Sequence, residues 1–300
     1  MKSLVVIGGP TASGKTGLSV ALAKQLKCPI LSADSRQFYK EVAIGTAKPS
    51  PEEQEGVPHY FIDSHSLQNP LSSGAFEEEA IPLIEKLFQE HDTLILTGGS
   101  GLFIDAILYG IDNIPKDNKV KEHYIQLQEA QGLDVLLAEL AAKDPEYYQE
   151  VDKGNSHRVI RALEAIACSG QKFSELRKHT QKPRNFTPYI FLLDHEREAL
   201  YSRINQRVDI MLQEGLLEEV KSVAHLRHLQ SLNTVGYKEV FDYLDGKTSL
   251  EECVELIKRN TRRYAKRQIT WFKRYKDASW IPYTNIEEMT AFIRKRLQVK

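Results

Sequence analysis

The stretch GGPTASGKT, residues 8–16, has the residue types of a phosphate cradle. Gly9 and Gly14, with Pro10, Thr11, Ala12 and Ser13 between them, let backbone N–H groups turn toward phosphate oxygens. Lys15 adds a mobile cation, and the Thr16 hydroxyl can ligate Mg²⁺. The full P-loop pattern is met, and it follows an apolar run (SLVVI, 3–7) and precedes a helical pattern. The helix N-terminus adds positive potential. The loop by itself asks only for a diphosphate and a metal ion.

A kinase or ATPase usually adds an acidic residue at the end of a second strand to hold that metal. Here TLILT ends at Thr97 and runs into Gly98-Gly99-Ser100-Gly101, so that position carries no carboxylate. The acid best placed near the loop is Asp34 in LSADSRQFY, at the end of the next strand-like run (CPILS, 28–32). With Ser32, Ser35 and Gln37 beside it, it suits a pocket floor, or else it is a helix N-cap. Ser100 could bond a phosphate or position a nucleophile. Arg203 and Arg207 stand four apart on a helical pattern and share a face, a spacing that suits a diphosphate or pairing with Glu196 or Glu198. His157, Arg158 and Arg161 form a smaller basic group open to nucleic acid or to solvent.

From Lys258 to Lys276 there are nine Lys and Arg residues and no Asp or Glu, among them Arg262, Arg263, Lys266 and Arg267. A solvated helix face normally mixes signs, so a run of one sign points to a polyanion. Tyr264, Trp271, Phe272 and Tyr275 interleave with these charges and read as the buried stripe of an amphipathic helix.

Positioning these groups requires a β–loop–α repeat. Strands are expected at 3–7, 28–32 and within 91–97, with helices at 15–26 and 74–91; this is the pattern of a parallel sheet covered on both faces. Residues 116–182 contain no convincing strand and read as helices at 117–131, 134–142, 144–151 and 156–170. YIFLL (189–193) reads as a returning strand, followed by helices at 196–214, 216–228, 236–244, 249–275 and 286–297. The expected fold is α/β, a P-loop NTPase-like parallel sheet core (1–112 and 188–300) with C-terminal helices and an inserted helical domain (113–187).

The 300 residues are 41% hydrophobic and 27% charged, an ordinary globular balance, and the net charge of −1 averages unlike segments. Cys28, Cys168 and Cys253 stand far apart, which argues against zinc or disulfides and for buried reduced thiols. No apolar run approaches the ~20 residues of a membrane helix, so a soluble, cytoplasmic protein is expected. A monomer is the default expectation, since no motif sets an oligomeric state.

Taken in order, GGPTASGKT, SADSRQFY, GTAKP (45–49), GVPHYFID (56–63), GGSGLF (98–103), RVIRALEA (158–165), RINQRVDIMLQEGLLEEV (203–220), VGYKE (235–239) and TRRYAKRQITWFKR (261–274) resemble the bacterial tRNA dimethylallyltransferases across nearly the whole chain. That resemblance implies transfer of a dimethylallyl group from dimethylallyl diphosphate to the exocyclic amine of adenosine-37, beside the tRNA anticodon. On this reading residues 9–16 hold the leaving diphosphate with Mg²⁺ on Thr16. Asp34 is the base, Ser100 orients the amine or the donor, and Arg203 or Arg207 meets the diphosphate. Asp34, Ser35, Arg36 and Gln37, the insertion at 157–161 and the basic helix hold the RNA. The family commonly has Thr and Tyr where this chain has Ser100 and Phe103, and often a second His in place of Tyr60. The rival readings are a P-loop small-molecule kinase, an adenylate isopentenyltransferase acting on free AMP or ATP, and an RNA-binding module with a structural P-loop.

Overall fold

The structure, a computed structural model, describes residues 2–178 and 181–298. Six strands, β1 (Ser3–Gly8), β2 (Ile30–Ser32), β3 (His59–Tyr60), β4 (Thr93–Gly98), β5 (Thr187–Asp194) and β6 (Ser279–Pro282), form one sheet in the order β3-β2-β4-β1-β5-β6. Every pairing is parallel, with Val5 level with Ile95 on one side and Tyr189 on the other. The centre of β1 reads as an unbroken apolar run because both of its faces are covered; Leu4, Val5, Val6 and Ile7 have no exposed surface. On one face the helices Lys15–Leu26 and Ile286–Gln298 close a core containing Val5, Ile7, Leu18, Leu22, Ile95, Met289 and Ile293. Elsewhere Phe38, Phe61, Phe76 and Phe103 form an aromatic cluster with ring centres 4.8–6.1 Å apart.

Because all six strands run the same way, the turns after β1, β2, β4, β5 and β6 come to a single edge of the sheet. Ligands bind at that edge in open α/β sheets. The P-loop, Asp34, the GGSG turn, His195 and Tyr283 are thus neighbours by topology, although up to 275 positions of sequence separate them (residues 8 and 283).

Two strands escape the sequence reading. His59–Tyr60 is only two residues long, and Ser279–Pro282 (SWIP) lies at the sheet edge with mixed polarity, so neither has a periodicity to read. The expected helix 216–228 stops at Ser222 and continues as two short 3-10 turns, Ala224–Leu226 and Gln230–Leu232. The long basic helix spans Leu250–Phe272, opened by a capping box from Ser249 and Glu252. Among the described residues no helix is long and apolar enough to cross a membrane. Cys28 and Cys253 are buried as expected, but Cys168 is exposed. It falls on the outer side of a helix whose inner stripe is Val159, Leu163 and Ile166.

The chain divides into two compact units, Met1–Leu108 with Pro183–Lys300, and Tyr109–Lys182. Among the described residues the regular elements of the second are helices: Asn118–Gln131, Leu133–Lys143, Pro145–Glu150, Ser156–Ser169 and Phe173–Leu176. Its core includes Tyr124, Leu136, Leu140, Val159 and Leu163. Asp144 ties the unit together. Its carboxylate is fully buried and accepts from Tyr147 N at 3.1 Å, Ser174 N at 2.8 Å and Ser174 Oγ at 2.9 Å. Asp144→Ala would leave the backbone N–H groups of buried Tyr147 and half-buried Ser174 without this acceptor and should destabilise this unit by about 2 kcal/mol. Urea unfolding followed by a probe within 109–182 reads that loss.

Candidate active site

The P-loop backbone is held from behind by its own carbonyls. Lys15 Nζ donates to Pro10 O at 2.6 Å, Arg203 Nε to Ala12 O at 2.8 Å, and His195 Nε2 bonds Ser13 O at 2.9 Å. A carbonyl can only accept, so the proton of His195 sits on Nε2. Burial holds that imidazole below its usual pKa, Arg203 and Lys15 push the same way, and the Ser13 carbonyl opposes them. The His195 ring stacks on Tyr283 with centres 4.4 Å apart, and the Arg203 guanidinium lies 4.8 Å from the centre of the same ring. Gly14 (φ +87°) packs on this tier; a Cβ there would lie 2.9 Å from Tyr283. Ala12 also takes a left-handed conformation, φ 62°, a local strain of the kind that persists where surroundings over-determine a turn.

Asp34 is half-buried and lies in a turn; no helix follows it, so the N-cap alternative falls. Its Oδ1 accepts from Arg36 N at 3.2 Å. Ser100 Oγ accepts from Ser35 N at 3.0 Å and lies 3.0 Å from Ser35 Oγ. Ser100 thereby fixes the turn after β2 to the turn after β4 and sets Asp34 indirectly. Phe103 belongs to the aromatic cluster described above, where a phenol oxygen is not needed for packing.

Asp34, Thr11, Arg36, Arg207 and Tyr264 line one cleft of about 610 Å³, counting its mouth open to solvent. Ile204, Val208, Met211, Leu216 and Ile257 supply an apolar wall. Burial lowers the Lys15 ammonium to a pKa of about 8, with Asp34 opposing and Arg207 assisting the shift. Burial also lowers the Arg207 pKa, while Glu53 and Asp34 pull it back up. The two arginines that share a helix face therefore separate in role. Arg203 braces the P-loop, and Arg207 faces the cleft beside Asp34. Neither makes an ion pair with Glu196 or Glu198 among the described residues.

Several groups were invisible to sequence reading. Glu219 accepts three consecutive backbone N–H groups, from Ala43 (2.7 Å), Ile44 (2.8 Å) and Gly45 (2.9 Å), and Tyr237 Oη donates to it at 2.6 Å. It thus shapes the GTAKP loop, whose Gly45, Thr46 and Ala47 border the cleft. Tyr264, expected in the buried stripe, instead lines the cleft between two guanidinium groups, Arg36 at 5.0 Å and Arg267 at 5.7 Å from its ring centre. Phe272 and Tyr275 are buried as the stripe requires.

The basic run is partly compensated by acids from other elements. Lys258 pairs with Asp209 at 2.7 Å, Arg274 with Asp105 at 3.1 Å, and Arg262 donates to Asn205 at 2.6 Å. Arg259, Arg263, Lys266, Arg267 and Lys273 remain exposed along one helix side. In the second unit His157 and Arg158 are exposed, whereas Arg161 is committed to the Pro115 and Ile114 carbonyls and to Glu164. Gln37 is likewise committed, donating to Ala47 O at 3.0 Å and accepting from Ser32 Oγ at 3.2 Å.

The IPP transferase family model matches residues 37–275. The chain belongs to this family. It is 48% identical over 97% of its length to the tRNA dimethylallyltransferase 1 of Phocaeicola vulgatus, of which 97% is covered. It is 45% identical to the tRNA dimethylallyltransferase of Flavobacterium johnsoniae, with 99% of each covered. Among solved structures, the full-length tRNA isopentenylpyrophosphate transferase of Bacillus halodurans superposes with a TM-score of 0.73 at 37% identity, covering 99% of this chain and 97% of that one. A eukaryotic dimethylallyltransferase acting on tRNA superposes with a TM-score of 0.80 at 28% identity, covering 99% of this chain and 78% of that one. The family match begins at Gln37, so the P-loop and Asp34 stand outside the matched span.

Proposed function

We propose that this chain transfers the dimethylallyl group of dimethylallyl diphosphate to the exocyclic amine of adenosine-37 in the tRNA anticodon loop. The C–O bond to diphosphate breaks as the C–N bond forms, and the amine proton passes to Asp34. The observation that carries this reading is the pairing of a diphosphate cradle with the Asp34 carboxylate on the wall of one cleft, where the strand end expected to hold a kinase metal has Thr97 instead. Kinase chemistry would transfer a phosphoryl group; here both phosphates leave together.

Negative charge grows on the leaving diphosphate. P-loop N–H groups, the Lys15 ammonium once it turns from Pro10 O to the ligand, and Arg207 would donate to that charge, which is what lowers the barrier. Arg203 and His195 keep the loop carbonyls turned away, so their work is orientation. The adenine nitrogen becomes acidic as its bond to carbon forms, and a carboxylate within reach accepts the proton. The apolar wall of the cleft excludes water, which would otherwise compete with the amine for the allylic carbon.

Among the described residues no three His, Cys, Asp or Glu side chains are grouped to hold a metal. Thr16 offers one hard hydroxyl oxygen beside the cradle, a donor set that fits Mg²⁺ taking its other ligands from phosphate oxygens and water. When bound, the ion would neutralise part of the charge on the leaving group.

Exposed Arg263, Lys266, Arg267 and Arg259, with His157 and Arg158 of the helical unit, suit contacts to RNA phosphates. The deciding experiment offers labelled dimethylallyl diphosphate with tRNA, with AMP and with no acceptor. Transfer to tRNA alone is expected, with the tRNA KM rising steeply with added salt. Transfer to AMP, or phosphoryl transfer from ATP without prenylation, would replace this reading with one of its rivals.

A further inference from the structure

The AKRQITWF segment contains one buried polar residue that the mechanism above leaves unused. Gln268 lies on the Leu250–Phe272 helix and is only 6% exposed. Its Oε1 accepts from Thr11 N at 2.9 Å, and its Nε2 donates to Gly99 O at 2.9 Å. Thr11 N can only donate and Gly99 O can only accept, so the amide has one permitted orientation. Room for it depends on the glycine, because a Cβ on Gly99 would lie 2.3 Å from Nε2. One rigid, planar group therefore spans two loops that are 257 and 169 positions away in sequence.

Each of those loops carries one side of the reaction. Thr11 belongs to the cradle for the leaving diphosphate. Gly99 precedes Ser100, which holds Ser35 and with it the turn of Asp34. We infer that Gln268 is a positioning residue for prenyl transfer, setting the separation between the diphosphate cradle and the wall that carries the base. The inference rests on the reaction proposed above. A displacement at carbon needs the leaving oxygen, the carbon and the incoming nitrogen in line, and a misplacement of about 1 Å costs on the order of 10²-fold in rate. Gln268 touches neither partner of that reaction in this account; it acts through the two loops.

Two variants test this. Gln268→Met removes both bonds and keeps the side-chain length. Gln268→Glu is more telling: a neutral carboxylic acid has one O–H donor and one carbonyl acceptor, the same pair as the amide, whereas the carboxylate has acceptors only and opposes Gly99 O. Wild type, assayed first, must prenylate tRNA; if it does not, the proposed reaction fails and the inference is not reached. Single-turnover rates at saturating donor and tRNA are then expressed per diphosphate-binding site, with binding measured by calorimetry. Gln268→Met should be slower by about 30- to 100-fold, with diphosphate affinity held within about threefold. The ratio of Gln268→Glu to wild type should climb as pH is lowered from about 8.5 to about 6, while that of Gln268→Met stays flat. The inference is overturned by a Met variant within about threefold of wild type, by loss of rate and diphosphate binding in equal proportion, or by Glu and Met ratios that match at every pH.

Discussion

Asp34→Ala should lower the single-turnover rate of dimethylallyl transfer by about 10²- to 10⁴-fold, the range usual for loss of a general base. Diphosphate affinity should hold or improve. The reason is the sign of the charge removed. Asp34 faces the same cleft as Arg207 and interacts electrostatically with both Arg207 and Lys15. Deleting its negative charge removes a repulsion toward an anionic ligand while leaving the cradle intact. Its Oδ1 also receives Arg36 N at 3.2 Å, so Asp34→Asn is the better control, since it preserves that acceptor but cannot take up a proton. Rapid-quench kinetics with tRNA in excess, beside calorimetry with diphosphate, separate the two effects. An Asp34→Asn enzyme that transfers at near the wild-type rate would remove Asp34 from the role of base.

Lys15→Met should cut kcat/KM for dimethylallyl diphosphate by about 10²- to 10³-fold, because a preorganised cation at the leaving group is lost from a partly desolvated site. The pH dependence carries a sharper signature. Burial brings the Lys15 pKa down to about 8. Below that pH the ammonium is charged and available to phosphate oxygens. Above it the free enzyme loses the proton, and kcat/KM, which reports free-enzyme groups, should fall about tenfold per pH unit. Lys15→Arg should have no such basic limb, because a guanidinium stays charged throughout. Saturation with donor should move the limb upward in kcat, since bound diphosphate favours the charged form. A wild-type kcat/KM that stays level through pH 9 would show that Lys15 is not the titrating cation.

The chemistry-bearing segments were legible because their physics is local. Gly9 to Thr16 is one turn between a strand and a helix, and its glycine spacing, lysine and threonine are all contiguous in sequence, although Arg203, His195 and Gln268 then brace its backbone. The strand SLVVI and the helix 15–26 show their periodicities openly, as does the helical insertion, where capping residues Asp117, Asp144 and Asn155 mark the starts. Asp34 and Ser100 stood out as polar groups at strand ends. The edge strands did not, since two residues of β3 and four of β6 are too few to show a period. The partners of Lys258 and Arg274 in the basic run were hidden for a related reason. These acids, Asp209 and Asp105, come from other helices, and sequence distance hides them.

Sequence by itself therefore determined the glycine-rich turn, its lysine, the nearby carboxylate and the β–loop–α frame. It could not divide Arg203 from Arg207, because four positions along a helix put both on one face. Only the fold decided that Arg203 turns to Ala12 O and Tyr283 while Arg207 turns to the cleft. The same holds for Glu219 under the GTAKP loop, Tyr264 between two guanidinium groups, and Gln268 across two loops. Each acts on backbone or side chains brought near by the parallel sheet and the helices packed on its edge. Hydrogen bonds reach about 3 Å, and which groups come within that distance is set by the packing of the whole sheet and its helices.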